Sequence, residues 1–379
     1  MPLKKKILIL SSDAFSLVNF RGTFIARLVN EGHIVYCMAP KLVGEFEIGV
    51  SALGAYPINI QMSRNSFSPF LFLTEIFNLY KILKRLKIEV LLSYFMQPNI
   101  IAGFTGRLFR NLHFVALVEG AGYVFDDSAK GLFRKILKYI IVKIMILSFK
   151  SANTVVFLNA KDHDEYCKLG ITNNQFAVIL GPIGVDLGLY HRVRECQNNK
   201  LIFIMCARLI KEKGIQTYIN AAKVVYQKNK NVRFLLLGGV DSNPSSYTNE
   251  EMLRLLADSP VEWQGHVNVR PFLREADVFV LPTYYREGVP RSIQEAMASS
   301  LPIITTDIDG CRELVCHGKS GFLIQPRSVN ELVSYMFKFI NNPEIILAMG
   351  REARNFAEIN FDFNKIDEKL MKIVLPLDS

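Results

Sequence analysis

The sequence predicts an α/β protein of two doubly wound parallel sheets, and three observations carry that expectation. Short apolar runs alternate with segments of helical periodicity along the chain, the pattern of strand–helix–strand units. The alternation occurs twice, with the polar, charged stretch Arg192 to Lys200 between the two series. The 379 residues suit two or three domains, and with half of them hydrophobic and 21% charged the chain can bury large cores.

In order, residues 5–10 read as a buried strand. Their apolar run stops at Ser11-Ser12-Asp13, too short for the apolar region of a signal peptide. A loop through Asn19-Phe20-Arg21-Gly22 leads to a helix from Thr23 to Asn30, and Glu31-Gly32-His33 ends it before a second strand, Ile34 to Met38. In that loop, at a strand's carboxyl end, Arg21 and Gly22 are candidates to approach a phosphate or an acceptor. No G-x-G-x-x-G follows the first strand, which speaks against a nicotinamide or flavin enzyme. Alternation continues through Glu89 to Phe95, Ile100 to Leu108 and His113 to Val118. The last of these runs into Glu119-Gly120-Ala121-Gly122-Tyr123, a glycine-rich stretch that reads equally as a ligand site and as a plain turn. Ser151 to Asn159 supplies another strand, and Gly181-Pro182-Ile183-Gly184-Val185-Asp186 reads as the exit from the first domain.

The second series has strands at Leu201 to Ala207, Asn231 to Leu237, Val261 to Gly265, Val278 to Pro282 and Pro302 to Thr305, with a helix at Gln216 to Gln227. Asn341 to Leu375 is helical and amphipathic, and is expected to pack back on the first domain. The expected division is residues 1–190, 191–355 and a returning helix at 356–379, with a ligand cleft between the two α/β halves.

Net charge is +10, and it is uneven. Residues 51–150 hold 13 Lys and Arg against 5 acidic residues, whereas residues 191–379 hold 24 against 22. No nucleic-acid module is present in the sequence, so an anionic membrane or a phosphorylated substrate is the expected partner of the basic half. Phe67 to Leu73 is rich in aromatics and is followed by Lys81, Lys84, Arg85 and Lys87; residues 132–150 mix lysines with large apolar residues. The second stretch fits an interfacial helix, and equally an ordinary packed helix whose lysines reach for solvent. No stretch is long and apolar enough to span a bilayer. Six cysteines without CxxC or metal-finger spacing fit free thiols in a reducing cytoplasm.

The chemistry concentrates in Arg286-Glu287-Gly288-Val289-Pro290-Arg291-Ser292-Ile293-Gln294-Glu295-Ala296. Pro290 is placed to open a helix carrying Glu295, and the N–H groups of that helix start favour a phosphate. Glu287 and Glu295 add acceptors for paired hydroxyls, so the combination points to a nucleotide sugar. Arg208 and Lys213, five apart after the strand at 201–207, offer a guanidinium fork and an ammonium for a diphosphate; taken alone they also suit a solvated basic loop.

Glu287-x7-Glu295 with Gly288-Val289-Pro290 inside it resembles the signature of retaining family 4 glycosyltransferases. Arg208-Leu209 with Glu212-Lys213-Gly214, Gly184-Val185-Asp186, Trp263-Gln264-Gly265-His266-Val267 and Asp309-Gly310-Cys311-Arg312-Glu313-Leu314-Val315 are similar to further elements of that family. The resemblance implies a GT-B architecture, two Rossmann-like domains facing across a cleft. It implies transfer with retention, no obligatory metal or other cofactor, and a UDP-sugar as donor substrate. Phe20-Arg21-Gly22, Ala116 to Gly120 and Gly238 to Ser245 look closest to bacterial N-acetylgalactosaminyltransferases that extend an undecaprenyl-diphosphate-linked sugar.

By that resemblance Arg208 and Lys213 hold the diphosphate and stabilise its charge, Glu287 binds donor-sugar hydroxyls and Glu295 the ribose. Gly265 and His266 face the base, and Gly288, Val289 and Pro290 line the donor site. Many relatives carry His-Gly where this chain has Glu119-Gly120, so Glu119 keeps the position as a catalytic candidate with its role open. Arg21, Gly22, Gly120 and Tyr123 are acceptor-side candidates. Asp307-Ile308-Asp309 mimics a metal-binding Asp-x-Asp but lies beyond the Glu-x7-Glu helix, so no metal is expected. The expected acceptor is a polyprenyl-diphosphate-linked saccharide at the inner face of the cell membrane. The alternatives are another nucleotide sugar (UDP-glucose, UDP-galactose or GDP-mannose) and a non-catalytic nucleotide-sugar-binding subunit.

Overall fold

A computed structural model describes residues 4–62, 69–120, 132–191, 200–240, 245–285 and 288–375. The chain forms two units, one of residues 1–181 with 364–379, the other of residues 182–363.

In the first unit the strands are β1 (Lys6–Leu10), β2 (Ile34–Pro40), β3 (Tyr56–Ile60), β4 (Val90–Tyr94), β5 (His113–Val118), β6 (Thr154–Phe157) and β7 (Ala177–Ile179). They pair in parallel in the order β3-β2-β1-β4-β5-β6-β7. Because β1 is followed outward by β2 on one side and by β4 on the other, the order reverses between β1 and β4, and at such a switch point the loops part at the strands' carboxyl ends. Helices α1 (Ala14–Asn30) and α2 (Glu45–Ala52) cover one face. Helices α3 (Pro69–Leu86), α4 (Met96–Gly106), α5 (Leu132–Phe149) and α6 (Ala160–Lys168) supply the other. The near-continuous apolar strands follow from this double burial: all five residues of β4 are buried.

Helix α1 corrects the expected loop at residues 19–22. Asp13 caps the helix by accepting from the Ser16 N–H at 3.0 Å, and Ala14, Leu17, Arg21, Phe24, Ile25 and Leu28 form its buried stripe. Asn19, Arg21 and Gly22 hid that period, because a buried Arg reads as a break in an apolar stripe. The short strands β3 and β7 at the two sheet edges lacked an apolar run strong enough to be read in the sequence.

In the second unit β8 (Leu201–Cys206), β9 (Val232–Leu237), β10 (Val261–Trp263), β11 (Val278–Leu281), β12 (Ile303–Thr306) and β13 (Gly321–Ile324) pair in parallel in the order β10-β9-β8-β11-β12-β13. Its helices are α7 (Ile215–Lys228), α8 (Asn249–Leu256), α9 (Val269–Glu275), α10 (Arg291–Ala298), α11 (Val329–Asn341) and α12 (Glu344–Asn360). The switch point here lies between β8 and β11.

The last helix, α13 (Phe363–Val374), returns to the first unit, where Ile366, Leu370, Met371 and Val374 join the core of β1, β2 and α1. Arg27 Nη1 donates to the Asn364 carbonyl at 3.0 Å and anchors its start. The units divide at Gly181–Pro182 and Phe363–Asn364 where the sequence suggested 190 and 355. Residues 184–190 join the second unit through a bridge between Val185 and Asp362 and through contacts to α10.

Helices α4 and α5 pack closely at Gly103. A Cβ added to Gly103 would lie 2.4 Å from the Ser148 carbonyl oxygen, and Ser151 Oγ donates to the Gly103 carbonyl at 2.6 Å. Gly103→Ala must therefore push the helices apart, and it is expected to lower the stability of the first unit by about 2 kcal/mol in urea titration, the usual cost of overpacking.

Candidate active site

The second unit places Arg208 and Lys213 at its switch point. Strand β8 ends at Cys206, and the chain then runs through Arg208 into a 3-10 turn, Lys211–Lys213, closed by Gly214 in a left-handed conformation (φ 79°) that starts α7. Glycine is required there on two grounds. Left-handed backbone is costly with a side chain, and a Cβ would sit 2.0 Å from the Pro282 carbonyl oxygen in the loop after β11. The same two loops are tied by the Glu212 carbonyl, which accepts from the Tyr284 N–H (2.8 Å), the Tyr285 N–H (3.0 Å) and Thr283 Oγ1 (3.1 Å). The cationic turn is thus fastened to the root of the segment bearing Glu287. Arg286 and Glu287 themselves lie outside the described residues.

Lys213 is 9% exposed, with Nζ 5.5 Å from the centre of the Tyr285 ring, while Arg208 is exposed. An ammonium over an aromatic face is attracted by the ring's electron-rich face. The neighbouring loops interlock similarly. A Cβ on Gly238 (φ 147°) would meet the Ala207 carbonyl oxygen at 1.8 Å. Trp263 Nε1 donates to the Gly238 carbonyl at 2.9 Å, and the Gly238 N–H donates to the Gly265 carbonyl at 2.8 Å. Arg208 therefore stands on the loop after β8, and Gly265 and exposed His266 on the loop after β10, with Gly238 at the end of β9 bridging the two.

Helix α10 begins at Arg291, with Pro290 one residue outside it as the N-cap and no side chain capping its first N–H groups. Those donors and the helix dipole favour an anion. Val289 is buried, and its carbonyl accepts from Gln294 Nε2 at 3.4 Å. Glu295, one turn into the helix, has Oε1 held by the Tyr190 hydroxyl and by Arg291 Nε, each at 3.0 Å. Tyr190, not anticipated from the sequence, is buried; desolvation first and the Glu295 charge next push its hydroxyl well above the usual tyrosine range. Asp307 and Asp309 are both engaged by Arg312, whose Nε reaches Asp307 and whose Nη1 reaches Asp309 at 3.2 Å.

In the first unit Arg21 does not face outward from a loop. It is buried in α1 and forms an ion pair with Glu119 at the end of β5, with their side chains 2% and 6% exposed. Its guanidinium lies 5.6 Å from the centre of the Tyr94 ring, and the Tyr94 hydroxyl meets Ser16 Oγ at 3.3 Å. This corrects the expectation of Arg21 as an acceptor-side contact: its guanidinium is engaged within the fold. Gly22 packs against Leu53. Gly120 (φ 95°) turns the chain after Glu119, and Tyr123 lies outside the described residues.

Residues 189–356 match the family model described as Glycosyl transferases group 1. The chain is 26% identical over 377 residues, 96% of each chain, to an N,N′-diacetylbacillosaminyl-diphospho-undecaprenol α-1,3-N-acetylgalactosaminyltransferase of Campylobacter jejuni. It is 24% identical over 320 residues, 80% of this chain and 79% of the other, to a UDP-Gal:α-D-GlcNAc-diphosphoundecaprenol α-1,3-galactosyltransferase of Escherichia coli. The fold is shared with Anabaena HepE, solved in complex with UDP-glucose, at a TM-score of 0.76 and 15% identity, over 98% of this chain and 100% of that one. Together with the two parallel sheets, these likenesses identify the architecture as GT-B.

Arg21→Ala leaves the Glu119 charge buried without its partner, and is expected to cost about 3–5 kcal/mol in urea unfolding. The double change Arg21→Met with Glu119→Leu, which removes both charges, is expected to recover most of that loss.

Proposed function

We propose that this glycosyltransferase, which carries a group 1 domain at residues 189–356, moves an N-acetylhexosamine, with N-acetylgalactosamine favoured, from a UDP-sugar to a saccharide on undecaprenyl diphosphate. Transfer proceeds with retention of anomeric configuration. The carrying observation is the fastening of the Arg208–Lys213 turn to Thr283–Tyr285, which joins the cations to the root of the Glu287 loop at one switch point. The relatives named above from C. jejuni and E. coli both act on diphospho-undecaprenol-linked sugars, which supports the acceptor class.

In this reading Arg208 and Lys213 bind the diphosphate with the N–H groups at the start of α10. Charge builds on the diphosphate as the bond from the sugar's anomeric carbon to phosphate oxygen breaks, and fixed cations stabilise it without reorganising. Glu287 accepts hydroxyls of the donor sugar, Glu295 accepts hydroxyls of the ribose, and the Gly265–His266 backbone borders the base. The acceptor oxygen forms the new bond to the anomeric carbon, and its proton passes to the departing phosphate. Gly120 and Tyr123 are assigned to the acceptor side in this reading. Glu119, held by Arg21, contributes a fixed carboxylate rather than a mobile base.

The first unit supplies the membrane side of the proposal. On α5 the core takes Ile141, Val142, Met145 and Phe149, while Ile136, Tyr139, Ile140, Lys143 and Leu147 form an outward stripe. On α3 Phe70, Leu71, Leu73 and Phe77 are exposed ahead of Lys81, Lys84 and Arg85. Apolar residues next to lysines on an outward face suit an anionic lipid interface, and no helix among the described residues is long and apolar enough to cross a membrane. The enzyme would work from the periphery of the inner membrane face.

Thermal-shift screening against UDP-, GDP- and ADP-sugars is expected to respond to UDP-N-acetylhexosamines; a response confined to another nucleotide overturns the donor assignment. Arg208→Ala and Lys213→Ala are each expected to lower kcat roughly 100-fold or more with the melting temperature retained, and near-normal turnover in both removes the diphosphate role. In vesicle flotation, Lys135→Glu with Lys143→Glu is expected to release the protein from anionic but not from neutral vesicles. Binding that survives the double change would return α5 to an ordinary surface helix.

A further inference from the structure

Glu295 is held from one side only. Oε1 accepts both the Tyr190 hydroxyl and Arg291 Nε at 3.0 Å, and Oε2 has no hydrogen-bond partner among the described residues. A carboxylate has room for about four hydrogen bonds, so two donors on one oxygen fix the plane of the group and leave the other oxygen to a ligand.

The segment that brings Tyr190 there is laced to α10 at three places. The Gly184 N–H donates to Gln294 Oε1 at 3.1 Å, Tyr190 reaches Glu295, and Arg354 Nη1 from α12 donates to the carbonyls of Leu187 (3.2 Å), Tyr190 (2.7 Å) and Ala298, the last residue of α10. Arg354 thus holds the backbone of Tyr190 against the helix that carries Glu295. The Tyr190 ring is 5% exposed, with the Arg270 guanidinium 5.9 Å from its centre. A buried phenol braced at ring and backbone has little freedom to leave its acceptor. Burial and the Glu295 charge also keep its hydroxyl protonated, so it stays a donor.

We propose that Tyr190 is a positioning residue for nucleotide recognition: by holding Glu295 Oε1 it aims Oε2 at the vicinal hydroxyls of the donor's ribose, and so sets the preference for ribo- over deoxyribonucleotides. This rests on the proposed role of Glu295 as the ribose acceptor. Arg291 reaches Glu295 from one turn back on the same helix, whereas Tyr190 comes from a separate segment and supplies the external reference. Without the hydroxyl the carboxylate keeps only the hydrogen bond from Arg291 on its own helix, and a ribose must then supply part of the ordering.

Calorimetric titration with UDP, GDP and ADP, and with their 2′,3′-dideoxy counterparts, tests both levels. In the unaltered enzyme the nucleotide that binds best is expected to be preferred over its dideoxy form, and Glu295→Gln to abolish that preference. Tyr190→Phe is expected to lower the preference about tenfold, the worth of one hydrogen bond to a charged group. It should raise the donor KM by a similar factor with kcat within about twofold, and leave the urea midpoint near that of the unaltered enzyme. Full preference in Tyr190→Phe with loss in Glu295→Gln overturns the role of Tyr190 alone. No preference in the unaltered enzyme, no binding of any of the nucleotides, or full preference in Glu295→Gln, overturns the ribose role of Glu295 and this inference with it. A Tyr190→Phe protein that loses kcat and stability together, with its preference intact, shows a structural role only.

Discussion

The candidate site of the second unit is built on one carbonyl, that of Glu212, which accepts from Thr283 Oγ1 and the Tyr284 and Tyr285 N–H groups while Gly214 lies against Pro282. A parallel sheet leaves its loops at the switch point without ladder partners, and buried backbone groups must still find hydrogen bonds. Here the loops after β8 and β11 satisfy each other. The turn that carries Arg208 and Lys213 therefore cannot shift without disturbing the base of the Glu287 segment. A side chain on Gly214 would collide with main-chain atoms, which have no rotamer to escape into.

The two other carboxylates of interest are held by different means. Glu119 shares a dry site with Arg21, packed beside Tyr94, and the pair stands because each charge compensates the other. Glu295 keeps one oxygen toward the protein and one without a partner among the described residues. The first arrangement suits a fixed charge, and the second leaves a carboxylate with acceptor capacity to spare. Both place a carboxylate near the carboxyl end of a strand or beside a helix start, where backbone N–H groups and charge converge.

The basic surplus of residues 51–150 acquires a location once the helices are in place. Burying one stripe of α5 against α4 and in the core they share turns the remaining stripe of isoleucines, tyrosine and lysines outward, and α3 exposes Phe70 and Phe77. The same amphipathic period that builds the core thus leaves an apolar, cationic surface in the first unit.

Strand and helix alternation, the returning C-terminal helix, the cationic turn at Arg208–Lys213 and the Glu-x7-Glu phrase could all be read from residue order. Each is a local pattern: apolar period, a glycine after a charged turn, a proline before a helix. The sequence by itself thus determined the two-unit α/β class and which loops carry the charge. The tertiary structure decided what those side chains touch. Arg21 looked like a loop cation, and only the packing of α1 on the sheet showed it buried against a residue 98 positions away. Tyr190 carried no local signal, because its partner Glu295 is 105 positions distant and is reached only through the path of residues 184–190 past α10. Partnerships over such separations depend on which strands become neighbours, and one sequence read along its length records the residues but not the distances between them.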